Sequence, residues 1–272
     1  MKELKKNPDS LYYTSLEKYF GITEQKAKLP KWLSYFLYAA IPLVLILAAA
    51  IIVSRKQIKN KTKELSESQM EVIDRLGKAL EYRDNYTGRH INIVSEICYL
   101  IGKEIALSQD ECDILKKAVT MHDVGKMAIS DSILLKPGSL NKDEWIKMKK
   151  HSAIGANMLS KGRSKIIKTA ETIALYHHEQ WDGNGYPRAI KGKLIPVAAR
   201  ICTVADVFDA LISKRPYKEP WPLKKSVNEI LERKGTHFDP GIVDAFMKIL
   251  PQIIIQFNLN KIPPEEAAAV IV

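Results

Sequence analysis

Five of the six histidines in this 272-residue chain fall into an ordered series with carboxylates: His90, His122-Asp123, His151, His177-His178 and then Asp206. Imidazole nitrogens and carboxylate oxygens together suit first-row divalent metals, and a carboxylate such as Asp123 can bridge two ions. A single inward-facing histidine is usually a hydrogen-bonded core residue. Five of them beside Asp123 and Asp206 point instead to a dinuclear centre. The sixth, His237, sits in Gly235-Thr236-His237-Phe238-Asp239-Pro240, outside that pattern, and reads as structural.

Helices must position these groups, because from about Val72 onward apolar residues recur at helical spacing and no alternating strand pattern is evident. Ser108 with Glu111 reads as a capping box ahead of an apolar stripe through Leu115, Ala118 and Val119, which places His122 on the inward face. Asn141 with Glu144 opens another helix, carrying Trp145 and Met148, and His151 follows Met148 by three. Asp239 with Pro240 opens a third. Between His178 and the next helix, residues 179–187 read Glu-Gln-Trp-Asp-Gly-Asn-Gly-Tyr-Pro, a loop whose glycines permit tight turns and which could close over a ligand.

The amino-terminal part has a different character. Trp32 to Val53 is 22 residues without a charge, which as a helix would span roughly 33 Å, about one bilayer core. Trp32, Tyr35 and Tyr38 lie at one end, as interfacial aromatics do. The expected order is a short polar, extracytoplasmic segment over 1–31, a transmembrane helix over 32–53, a helical linker over 54–73, a catalytic domain over 74–258 and a tail over 259–272. Lys18, Lys26, Lys28 and Lys31 precede the span and Arg55, Lys56, Lys59, Lys61 and Lys63 follow it, a slight lean toward a cytoplasmic carboxy-terminal side. Ile58, Leu65, Val72 and Ala79 recur every seven residues, a pattern that would let the linker pair as a coiled coil in a homodimer; a single solvated helix is the alternative.

Composition narrows the function classes. The formal charge is +11 but spread along the chain, without the basic stripe and interleaved aromatics of a nucleic-acid binder, so no nucleic acid polymer is expected as a partner. The three cysteines, Cys98, Cys112 and Cys202, have no CxxC spacing and read as reduced core residues.

In its ordered motifs the sequence resembles the HD-GYP family of the HD-domain phosphohydrolase superfamily. The resemblance runs from about Glu81 to Phe246. It rests on Arg83-Asp84 with Thr87 and His90, His122-Asp123-Val124-Gly125-Lys126, His151 with Gly155, His177-His178-Glu179, Asp182-Gly183, Gly185-Tyr186-Pro187, Ala199-Arg200-Ile201, Asp206 with Asp209-Ala210-Leu211, and Arg215-Pro216-Tyr217-Lys218. The resemblance implies an all-α HD-domain helical bundle with a GYP loop, here preceded by one transmembrane helix and a helical linker. It implies hydrolysis of cyclic di-GMP to a linear (pGpG) or mononucleotide (GMP) product and, together with the apolar span, a bacterial inner-membrane protein with its catalytic domain in the cytoplasm.

Carried over by position, the metal ligands are His90, His122, Asp123, His151, His177, His178 and Asp206. They would hold two divalent ions, iron or manganese first and nickel next, with a shared water as the nucleophile. Lys126 and Asp123 take the catalytic positions. Arg215 and Lys218 match the family's phosphate contacts, and Gly185 and Tyr186 belong to the loop over the substrate. Arg200 is either a further phosphate contact or one half of an internal salt bridge, and Asp209 either supports a ligand or shapes its helix. Some family members hold a third metal through a glutamate four residues before the first histidine. Tyr86 stands there, so two ions and a linear dinucleotide product are expected. A diguanylate cyclase (GGDEF) partner acting through the GYP loop belongs to the same set of implications. Two alternatives stay open: a catalytically silent cyclic di-GMP receptor, and a phosphodiesterase for another cyclic dinucleotide such as cyclic GMP-AMP.

Overall fold

The computed structural model describes residues 11–20, 30–83, 89–213 and 219–259. The chain divides into two compact units, Met1–Leu65 and Ser66–Val272. Among the described residues every regular element is helical, with one isolated β-bridge between Lys234 and Phe238.

The first unit holds α1 (Leu11–Phe20) and the opening part of α2 (Lys31–Arg83). Helix α2 is long and apolar enough to cross a membrane, with a mean hydropathy of 2.8 in its most apolar window and none of that window buried. Leu45 and Ile46 are about two-thirds exposed, so nothing in this unit shields the apolar stretch from its surroundings.

The second unit takes α2 from Ser66 and continues through α3 (Arg89–Glu104), α4 (Gln109–Ala118), α5 (Asp131–Leu134), α6 (Lys142–Leu159), α7 (Lys165–Tyr176), α8 (Val197–Ile212), α9 (Leu223–Glu232) and α10 (Pro240–Gln256). Its core forms where the apolar faces of α3, α8 and α10 meet: Ile97, Ile101, Ile201, Val204, Phe208, Phe246 and Ile253 are fully buried. Phe208 and Phe246 pack edge to face at 4.9 Å. All three cysteines are free and buried, as small core residues.

Both capping boxes form. Ser108 and Glu111 exchange side-chain and backbone hydrogen bonds at the start of α4, and Asn141 Oδ1 accepts from Glu144 N–H at 2.9 Å while the Glu144 carboxylate accepts from Asn141 N–H at 2.8 Å. Asp239 caps α10 ahead of Pro240. Two details depart from the expected pattern. The α-helical hydrogen bonding of α4 stops at Ala118, and a 3-10 turn over Val119–Met121 carries the chain to His122, which nevertheless faces inward. Trp145, expected on an apolar stripe with Met148, is 47% exposed.

Because the Asn141 cap holds the first turn of the helix that carries His151, Asn141→Ala is expected to lower unfolding stability by about 1 kcal/mol. Chemical denaturation should show an earlier midpoint with an unchanged denaturant dependence.

Candidate metal centre

Five segments converge on one small volume. His90 comes from the first turn of α3, His122-Asp123 from the link between two 3-10 turns, His151 from the middle of α6, His177-His178 from the end of α7 and Asp206 from α8. They form two adjoining groups: Asp123, His151, His177 and His178, and then His90, His122 and Asp206. Within each group the ligand atoms lie within 4.8 Å of one another. Asp123 stands between the groups. Its Oδ1 is 3.3 Å from His151 Nε2 and 3.7 Å from His177 Nε2, while its Oδ2 is 3.2 Å from His122 Nε2. Asp206 Oδ1 closes the second group at 3.6 Å from His90 Nε2 and 3.9 Å from His122 Nε2. The structure thus brings together every ligand position singled out in the sequence.

Local hydrogen bonds aim the rings. His122 Nδ1 lies 2.9 Å from Val119 O, His151 Nδ1 2.8 Å from Met148 O, and His177 Nδ1 3.0 Å from Ile173 O. A backbone carbonyl only accepts, so each Nδ1 must carry a proton, and in the neutral ring each Nε2 keeps its lone pair for the centre. His90 is held differently: its Nδ1 lies 2.5 Å from Asp209 Oδ2, across from α3 to α8. Asp209 is fully buried and its other oxygen accepts from Ser213 Oγ, so its place is behind His90 rather than in the centre.

The chemistry of this donor set fits cations. His151 Nε2 and His177 Nε2 face each other at 3.4 Å, and with both protons on Nδ1 no hydrogen bond joins them. His122 Nε2 and Asp123 Oδ1 are buried without a hydrogen-bond partner, a costly state for polar atoms unless a positive ion meets them. Burial pushes the His177 and His178 imidazoles toward the neutral form a metal requires. Burial would also raise the carboxyls of Asp123 and Asp206, but Lys126 and His122 beside the first, and His122 and His90 beside the second, hold both below the usual range. At His122 burial opposes protonation, yet the carboxylates of Asp123 and Asp206 raise its pKa well above the ordinary value. The negative charge that draws a proton there would equally hold a divalent cation.

Lys126, in the 3-10 turn Val124–Ala128, places its ammonium 2.8 Å from Asp123 Oδ2. That turn packs directly on α6. A Cβ added at Gly125 would lie 1.9 Å from His151 O and 2.5 Å from Gly155 N, so only glycine permits the approach, and Gly155 faces it from the other side. Arg83 braces the same turn, donating to the carbonyls of Lys126, Met127 and Ile129 and to the Asp131 carboxylate. Its sequence motif carried no role for it. The carbonyls are the loose end of the turn, which is invisible in residue types.

The GYP loop is held from within by Glu179, whose buried carboxylate accepts from the N–H groups of Arg188 and Ile190. Gly185 lies against the backbone of Glu179 and Gln180, where a Cβ would come within 2.4 Å of Glu179 Cα, so its contribution is to let the loop fold on itself. Tyr186 stacks on His178 at 4.7 Å with an interplanar angle of 22°. Trp145 and Lys149 of α6 reach the same tyrosine, contacts that helical periodicity could not distinguish from core packing. Arg200 takes the second of its two expected roles: its guanidinium pairs with Asp239 and donates to Ile195 O at 2.8 Å, so it ties α8 to the cap of α10 instead of reaching toward the centre. His237 stacks on Phe238, and its carbonyl anchors Trp181 N–H of the loop. Asp84, Tyr86, Thr87 and Arg215 to Lys218 lie outside the described residues.

Two outcomes follow from this geometry. Gly125→Ala must push the Lys126 turn off α6, and should reduce bound manganese, measured by elemental analysis after dialysis, together with thermal stability. Asp209→Asn weakens the acceptor behind His90 and should lower metal affinity roughly 10- to 100-fold by titration calorimetry, with the fold intact by circular dichroism.

Known proteins place this arrangement. The sequence matches the HD domain family over residues 49–242. It is 43% identical over 204 residues to the cyclic di-GMP phosphodiesterase response regulator RpfG of Xanthomonas campestris, covering 74% of this chain and 54% of that protein. It is 42% identical over 198 residues to a cyclic di-GMP phosphodiesterase of Thermotoga maritima, covering 73% and 54%. A 3′3′-cGAMP-specific phosphodiesterase of Vibrio cholerae is 41% identical over 185 residues, covering 68% and 35%. The chain therefore spans about half or less of the length of these relatives. Among solved structures, a cyclic GMP-AMP specific phosphodiesterase of V. cholerae superposes with a TM-score of 0.54 at 20% identity, over 73% of this chain and 54% of that one, which shows a shared fold. With its ordered HD-GYP motifs and its converging histidines and aspartates, the chain belongs to the HD-domain family.

Proposed function

We propose that this chain is a metal-dependent phosphodiesterase acting on cyclic di-GMP. The observation that carries the proposal is the Asp123 carboxylate set between two histidine groups, with the Lys126 ammonium beside it. When bound, a pair of divalent cations would supply Lewis acidity and a water of lowered pKa as nucleophile toward the phosphodiester. The seven ligands would hold two ions, iron or manganese, with nickel as a further candidate; mixed imidazole and carboxylate donors accept all three.

The chain's own groups account for the rest. Asp123 and Asp206 stay ionised, and the histidine Nε2 atoms point inward. Lys126 offsets charge on the phosphoryl oxygens, an effect that is strongest in a site with little water. Tyr186 keeps its phenol proton, because burial and then the carboxylate of Asp123 raise its pKa. It therefore donates a hydrogen bond rather than adding another negative charge near the diester. Arg215 and Lys218, outside the described residues, are proposed as phosphate contacts on the strength of their sequence motif. With Tyr86 where a third ligand would stand, pGpG is the expected main product and GMP the slower one.

Cyclic GMP-AMP is the second substrate to try, since a relative 41% identical over 185 residues carries that specificity in its name. We further propose a single-pass anchor in the bacterial inner membrane over 32–53, supported by the exposed apolar face of α2, with the catalytic unit in the cytoplasm where cyclic dinucleotides occur. Ile58, Leu65 and Val72 are each more than half exposed in the single chain, as a homodimer seam would be before pairing. A GGDEF protein at the GYP loop completes the proposed partners.

The test is turnover of cyclic di-GMP by the detergent-solubilised chain with Mn²⁺ or Fe²⁺ under anaerobic conditions, followed by chromatography. Chelation and Asp123→Ala should each abolish it, and Lys126→Ala should lower kcat by roughly 100-fold. Tight binding without turnover under every metal condition would make the chain a receptor.

A further inference from the structure

Helix α6 carries more toward the centre than His151. Trp145 and Lys149 lie one turn apart on one face of it, and both reach Tyr186 of the GYP loop. The Trp145 and Tyr186 rings meet edge to face at 6.5 Å, and the Lys149 ammonium sits 5.5 Å from the Tyr186 ring centroid. Tyr186 in turn stacks on the ligand His178. A continuous series of planar and cationic groups thus runs from the metal ligands out to an indole that is 47% exposed.

Neither outer residue belongs to the core. The core of this unit buries its large aromatics Phe208, Phe238 and Phe246 completely, and α6 packs through His151, Ser152, Gly155 and Ala156 instead. Among the described residues, Lys149 pairs with no carboxylate. An exposed indole is a sequence-tolerant platform for a nucleobase, and a lysine at its edge favours bases that present acceptors. Guanine offers two neighbouring acceptors, O6 and N7, whereas adenine sets an amino donor beside N7.

We propose that Trp145 and Lys149, together with Tyr186, form a guanine-docking ledge at the rim of the metal centre: the base stacks on the indole, and the ammonium donates to its O6 and N7. The ledge rests on the phosphodiesterase reading above and assigns its base preference to α6. The substrate phosphorus is then held between the metal ligands on one side and a base fixed on the same helix as His151 on the other.

The ledge is tested with the full chain in detergent with Mn²⁺, measuring KM and kcat for cyclic di-GMP and the relative binding of cyclic di-GMP and cyclic di-AMP. Trp145→Ala should raise KM roughly tenfold with a smaller change in kcat, and Trp145→Phe should restore most of the loss. Lys149→Ala should narrow the preference for cyclic di-GMP over cyclic di-AMP, also by roughly tenfold. Turnover by the unmodified chain combined with an unaltered KM in Trp145→Ala and an unaltered preference in Lys149→Ala would overturn the ledge alone. Failure of the unmodified chain to bind or cleave either dinucleotide would overturn the phosphodiesterase reading and the ledge with it.

Discussion

Four of the five imidazoles in the centre have one nitrogen tied down so that the other can face inward, and the rest of the catalytic unit is arranged around that requirement. For His122, His151 and His177 the tie is a carbonyl three or four residues earlier in the chain. The helix or turn that carries the ring therefore also sets its tautomer, and no second element has to be positioned for the purpose. His90 lies at the beginning of α3, where no earlier turn of its own helix can supply a carbonyl, and it borrows the buried Asp209 from α8. That buried carboxylate makes the packing of α3 against α8 part of the metal chemistry as well as part of the core.

The charges of the site obey the same constraint. Two carboxylates and five imidazoles crowd together there, and among the described residues the Lys126 ammonium lies beside Asp123 Oδ2. The centre is short of positive charge in its interior. Burial and charge thus favour cation binding before any ligand geometry is considered, and the unpartnered His122 Nε2 and Asp123 Oδ1 mark the two sides on which it is needed.

Much of this was legible in the residues. Metal ligands belong to few residue types, so their order along the chain survives without any knowledge of the fold. The capping boxes at Ser108 and Asn141 were legible because their signal is local. Asp209 could be anticipated behind a ligand from its spacing of one turn from Asp206. Trp145 was less legible: spacing of three and four defines a helical face but does not say whether core or cleft will lie against it. Arg200 had two chemically equal futures, and only the arrival of Asp239 from a distant helix decided between them. The 3-10 turn before His122 went unseen because it changes the hydrogen bonding without changing the direction in which the side chain points.

The contact between Gly125 and Gly155 has a consequence for how this centre can change over evolutionary time. Backbone meets backbone there, with no side chain between to grow or shrink. The separation between Asp123 and His151 is consequently a dimension of the polypeptide itself, insensitive to the gradual exchange of core residues that alters helix spacing elsewhere. Lineages of such a protein could drift widely in their hydrophobic interior and keep the same aperture for a metal pair. Adaptation to a different metal would have to come through the groups behind the ligands, such as Asp209, where a single exchange of carboxylate for amide changes the donor strength of a ring without moving it.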